Sequence, residues 1–249
     1  SNNTISNNNA SNSIMYNGIG MQNCSHSVIS NNRACNNNNH GIALRRCTYT
    51  TTTDNSLCSN NYEGIWVGDS TNNHILGNTM ISNNNALCID NSDNNIISNN
   101  NASSSTMYNG IWMNNSTNNT INNNHASNNN HSGIGMRNCS YINITGNTLS
   151  SNNHNGVNME DSSNNTISNN NASNSIMYNG IWMVNSTNNT INNNHASNNN
   201  HSGIGMRNCS YINITGNTLS SNNHNGVNME DSSNNTISNN NASNSIMYN

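Results

Sequence analysis

Arg45, Arg46, Asp69 and Asp90 are the residues whose types and spacing come nearest to a catalytic group. A polysaccharide lyase or epimerase needs a base and a cation that offsets the charge of a uronate, and an Arg/Asp cleft could supply both. Trp66 lies in the same stretch and could stack on a sugar ring, as could Trp112 and Trp182. The spacing gathers no cluster of carboxylates with His or Lys, and the chain has no Lys. Nine His and twelve Met raise copper binding as a reading, but Met21, Met113, Met136, Met159, Met183, Met206 and Met229 recur in one apolar column. That placement reads as core packing. His131, His154, His201 and His224 share a column with Tyr16, Tyr62, Tyr108, Tyr178 and Tyr248, an aromatic stack along one edge. No C-x-x-C or paired zinc spacing is present, so neither a metal nor a cofactor is expected.

Whatever chemistry exists must be positioned by a repeat. Gly18, Gly41, Gly64, Ala86, Gly110, Gly133, Gly156, Gly180, Gly203 and Gly226 open successive copies 22 to 24 residues apart. Apolar residues follow at fixed offsets from each start. One column runs Ile19, Ile42, Ile65, another Met21, Leu44, Val67, a third Ile29, Thr52, Ile75, and a fourth Ala34, Leu57, Met80. The apolar patches are one to three residues long and alternate with period two, which is the strand signature, and nowhere is a helical period sustained. The expected fold is all-β: a right-handed parallel β-helix, or β-solenoid, of about ten coils, ~23 residues each, with three short strands per coil. Asn8, Asn32, Asn55, Asn78, Asn100, Asn124, Asn147, Asn170, Asn194, Asn217 and Asn240 keep one position without exception. They predict an internal Asn ladder at a corner, where Asn tolerates a left-handed bend and bonds to the next coil. A shorter ladder is expected at a second corner, with Asn37, Asn60, Asn83, Asn129, Asn152, Asn199 and Asn222, interrupted by Ser13, Ser105, Ser175 and Ser245.

Asn and Ser dominate, hydrophobic residues are 30% and charged residues 6%, a composition that would suit low-complexity disorder were the columns not held in register. Net charge is −4, which offers no basic footprint for nucleic acid, and no apolar run is long enough for membrane insertion. Residues 1–249 read as a single continuous solenoid. Residues 110–179 and 180–249 form near-identical 70-residue super-repeats, differing only at Asn114 and Val184. Residues 1–17 and 233–249 are identical, as expected of a window cut from a longer repeat or a unit that stacks end to end. The diversified stretch is roughly 24–97.

Opposite charges recur one coil apart, Arg137 with Glu160, Arg207 with Glu230, and Arg46 with Asp69, where they would favour register. Cys24 with Cys47 and Cys35 with Cys58 are adjacent-coil pairs within disulfide reach, with buried free thiols the simpler expectation. Among many Asn-x-Ser/Thr sequons, Asn118, Asn164, Asn188 and Asn234 on one bend are the best candidates for N-glycosylation. Trp66, Trp112 and Trp182 should point outward, for self-association or sugar stacking; Gly135 and Gly205 leave room for two of the rings.

The repeated S-x-N-N-T-I-x-x-N-x-x-x-x-N-x-x-G-I resembles the right-handed parallel β-helix repeats of NosD-like and CASH-type proteins, a fold shared with pectate lyases. The resemblance covers the whole chain and implies a cell-surface protein of the kind abundant in methanogenic archaea. The expected role is a non-enzymatic structural one, in an extracellular fibre, sheath or surface layer that associates with itself. The alternative is a surface carbohydrate-binding or carbohydrate-processing protein, with Trp66, Arg45, Arg46, Asp69 and Asp90 its residues to test.

Overall fold

In the computed structural model, which describes residues 1–247, the chain winds into a stack of parallel coils. Tyr248 of the aromatic column lies outside the described residues. Each coil contributes a four-residue strand to a ten-stranded sheet, running from Ile19–Gln22 to Val227–Glu230. It contributes a three-residue strand to an eleven-stranded sheet, from Thr4–Ser6 to Thr236–Ser238. Register is strict: Ile111 pairs with Ile134 and Met113 with Met136, so each apolar column is continuous along the axis. The columns fill a narrow core in which Ile29, Leu44, Ile65, Ile97 and Met113 have no exposed surface. The chain is therefore an all-β parallel solenoid of about ten turns, as expected.

The third side is thinner than the expected third strand. Among the described residues, only Ser56–Cys58 and Thr79–Ile81 pair there as strands, and the other coils meet in single parallel bridges such as Asn101 with His125. Leu57 and Met80 are successive large residues in that inward column, whereas Ala34, Ala102 and Ala126 give neighbouring strands little to pack against.

Corners are held by amide ladders. The Asn55 backbone N–H and side-chain amide both donate to Asn78 Oδ1, at 3.0 and 2.9 Å, while the same amide reaches the Ile29 carbonyl at 3.0 Å. The left-handed residue is not the ladder Asn but the one before it, for example Asn31, Asp54, Gly77 and Asn99. The ladder Asn is buried and spends its amide on neighbouring coils, so the bend falls on its exposed predecessor. A further ladder runs through Asn73, Asn95 and Asn119, the Asn73 and Asn95 N–H groups each donating to the next Oδ1. Its column is broken by Ile142 and Ile212, which hides it in the sequence. Ser70, Ser92 and Ser116 form a hydroxyl ladder in which Cys47, Cys139 and Cys209 take the Ser position.

Candidate functional site

Period-two alternation in the ten-stranded sheet sends Ile and Met inward and leaves on the outer face the fourth residue of each strand and, between the two inward ones, the second. Trp66, Trp112 and Trp182 occupy that second position. Trp112 and Trp182 pair in register with Gly135 and Gly205, and a Cβ on either glycine would lie 2.8 Å from the indole. Both rings lie flat over the next strand for want of a side chain there. Trp66 instead folds over Gly68 of its own strand.

These rings floor a groove along the sheet. One part, about 510 Å³, is lined by His131, His154, Trp182, His201, Glu160 and Glu230 among others. A second, about 390 Å³, contains Trp112 and Tyr108 and shares His131, Asn158 and Glu160 with the first, so the two adjoin. One wall is aromatic. His131 and His154 stack at 4.0 Å between centroids, His201 and His224 likewise at 4.0 Å, and His154 contacts Tyr178 at 4.9 Å. His131 Nδ1 lies 3.1 Å from Asn109 Oδ1 and 3.2 Å from Ser132 Oγ. Burial, then the neighbouring His154, lowers the pKa of His131 below the imidazole norm, against the pull of Glu160. Burial lowers His154 too, and burial with His224 lowers His201. The opposite wall carries carboxylates, with the Asn158 amide donating to Glu160 Oε1 at 3.3 Å.

The diversified coils form a different site. His40 Nδ1 lies 2.8 Å from Glu63 Oε2, both side chains mostly buried, and the Asn85 amide donates to Glu63 Oε1 at 3.1 Å. Burial alone would raise the Glu63 carboxyl, but His40 and Asn85 bring it below its usual value. The His40 ring stacks on Trp66 at 5.7 Å and meets Tyr62 edge-on at 5.7 Å. A depression of about 570 Å³ joins His40 and Trp66 to Arg45, Asp69 and Asp90. Arg46 turns aside to Asp69, with Nε to Oδ2 at 3.8 Å. The expectation that no His joins these carboxylates is corrected. The signal was in the column before each start, where the Asn or Ser of other coils gives way to His40 and then Glu63.

The remaining candidates fall elsewhere. Arg137 pairs in register with Glu160, yet its guanidinium goes to Asp161, Nε to Oδ2 at 3.5 Å, because Glu160 faces the groove. Cys35 and Cys58 are joined as a disulfide with Cα atoms 4.5 Å apart, while Cys24 and Cys47 are free thiols. Burial pushes the Cys139 thiol up to about 11. Asn118, Asn164, Asn188 and Asn234 are exposed left-handed bend residues and do not line the groove. Among the described residues no group of three or more His, Cys, Asp or Glu is arranged to hold a metal. No helix is long and apolar enough to cross a membrane.

The family described as right handed beta helix region matches residues 77–175 and 132–246. That described as periplasmic copper-binding protein (NosD) matches residues 1–91. No curated protein sequence matches the chain. Among solved structures, a D317A mutant of the periplasmic alginate epimerase AlgG is similar at 18% identity and a TM-score of 0.72, over 90% of this chain. The match spans 61% of that epimerase. The A-module of the mannuronan C-5 epimerase AlgE4 of Azotobacter vinelandii follows at 12% identity and TM-score 0.64, covering 97% of this chain and 87% of its own. The surface adhesin PfbA of Streptococcus pneumoniae gives 12% and 0.59, covering 92% and 70%. At these identities the likeness is one of fold. It nonetheless overturns the expectation that the chain is no enzyme, since this scaffold is one on which alginate epimerases are built.

Proposed function

The chain belongs to the right-handed β-helix family, and from that we propose that it binds a carbohydrate chain along the outer groove of its ten-stranded sheet, at the cell envelope or surface. The observation that carries this reading is the pair of adjoining depressions floored by Trp112 and Trp182, between stacked imidazoles and carboxylates. Flat indoles accept the apolar face of a sugar ring, and flanking amides and carboxylates take up its hydroxyls. A periplasmic epimerase and a surface adhesin among proteins of this fold support both the ligand class and the location. Retention on immobilised polysaccharides tests it. The native chain should be retarded on at least one of them and a Trp112→Ala/Trp182→Ala double variant should run free. Equal mobility of the two on every matrix would remove the reading.

Processing of the carbohydrate is a second reading, favoured by the His40–Glu63 pair beside Arg45 and Trp66. An imidazole held by a carboxylate can take up a proton next to the carboxylate of an acidic sugar, with the guanidinium offsetting the charge that develops. NMR of polyuronate incubated with the protein would show epimerisation or elimination that His40→Asn removes; an unchanged spectrum with native protein rejects it. Assembly into a fibre or sheath has its own support in Ile14, Met15, Ile176 and Met177, exposed apolar side chains on a polar surface. Sedimentation velocity that stays monomeric at high concentration would count against it.

A further inference from the structure

The super-repeat gives the groove an internal translation. Trp112, His131 and Glu160 recur 70 residues on as Trp182, His201 and Glu230. The recurrence extends to two contacts. His131 Nδ1 lies 3.1 Å from Asn109 Oδ1, and His201 Nδ1 lies 3.0 Å from Asn179 Oδ1. A Cβ added at Gly135 or at Gly205 would meet the neighbouring indole at the same 2.8 Å. Three coils at about 4.8 Å each separate equivalent atoms by roughly 14 Å along the axis.

Resting on the groove reading above, we infer that the groove holds two equivalent subsites, engaged together by one uncharged polysaccharide chain lying along the solenoid axis. Two copies of one chemistry at a fixed axial step suit a ligand whose own chemistry repeats, and a polymer does so while a small glycan fills one copy only. The preference for an uncharged polymer follows from the walls. Glu160 and Glu230 line the groove, whereas Arg137 is held by Asp161 and neither Arg137 nor Arg207 lines it. A polyuronate would bring its carboxylates against two fixed ones with no cation between them. Burial lowers the pKa of the facing imidazoles, His131, His154 and His201, and so disfavours their charged form. The acidic-sugar chemistry considered for the His40 depression, where Arg45 sits, does not extend to this groove.

Titration calorimetry at pH 7.5 with neutral β-linked gluco- and manno-oligosaccharides, and with polyuronate fragments of matching length, tests the inference. Affinity for the neutral series should step up at least about tenfold once the ligand spans both indoles, the gain expected when a second contact becomes intramolecular. Trp112→Ala and Trp182→Ala should each abolish the step and halve the number of short ligands bound per chain, since one subsite is lost and one survives. Polyuronates should bind at least about tenfold more weakly, and Glu160→Gln/Glu230→Gln should narrow that gap. Circular dichroism melts and the Trp→Phe variants separate lost binding from lost fold. A neutral glycan that binds without a length step, one indole carrying all the affinity, or a tighter polyuronate overturns the inference and leaves the groove reading standing. No binding of either polymer class overturns both.

Discussion

Thr52 occupies a column that is Ile in every other described coil, from Ile29 to Ile237, and it is fully buried with its hydroxyl unpartnered. A hydroxyl taken from water without a partner is a loss, and the isosteric Val removes it without changing volume much. Thr52→Val should stabilise the chain by about 1 kcal/mol, seen in urea as a higher midpoint with an unchanged slope. The groove imidazoles respond to pH in a fixed direction. Burial, helped by His154 and opposed by Glu160, lowers the pKa of His131 below the 6.5 of a free imidazole, and burial with His224 lowers that of His201. The folded state then binds protons less readily than the unfolded one. The stability these groups contribute is present above about pH 6.5 and is lost as pH falls through the folded values. Melting temperature should therefore drop between pH 7.5 and 5.5, and His131→Asn with His201→Asn should flatten that slope. A native slope that the double variant leaves unchanged would place the titration elsewhere.

The second corner shows how one strand start and one ladder position depend on each other. A Cβ on Gly133 would lie 2.8 Å from Asn152 Nδ2, and one on Gly64 would lie 2.9 Å from Asn83 Nδ2, so a ladder Asn needs a glycine at the start of its own coil. The coil that starts with Ala86 carries Ser105 instead, and that hydroxyl finds no partner. Ser175 also lacks a partner, but its coil starts with Gly156. Ser175→Asn should extend the ladder toward Asn152 and add about 1 kcal/mol, whereas Ser105→Asn meets the Ala86 methyl and should destabilise. Paired melts of the two variants read the sign directly, and equal signs would refute the coupling. The columns of Ile, Met and Asn were legible in the sequence because they recur in coil after coil. The third side was less so: an inward column that alternates Ala with Leu looks like a strand in the sequence but pairs mostly through single bridges. The left-handed bend was assigned to the ladder Asn because composition alone does not say which of two successive asparagines turns inward. Of the groove, the outward Trp column was legible for the same reason as the core. The His40–Glu63 contact was not, since it is a break in the pattern over two coils and a repeat reading averages breaks away.

A solenoid joins each coil only to its neighbours, so its stability is close to a sum over coils and interfaces. Residues 110–179 can then be removed as a unit. Excision joins Asn109 to Gly180, and Met-Tyr-Asn precedes the junction just as it precedes Gly180 in the intact chain, so strands, ladders and core columns continue in register. Groove chemistry changes in a defined way, because Trp112, His131 and Glu160 leave together while Trp182, His201 and Glu230 remain. The shortened chain should fold with the same circular dichroism per residue. Its urea slope should fall by roughly three-tenths, since the slope scales with the surface that unfolding exposes and about three coils in ten are gone. A collapse of structure would mean that the coils are not interchangeable and that the 70-residue identity serves something other than additive packing. If the slope falls as expected, the same variant isolates the binding question. It should take up short neutral glycans as the intact chain does and lose the gain with ligand length, because a single subsite is left to engage. A retained length dependence in that variant would locate the second contact outside the duplicated coils, with Trp66 as the next residue to change.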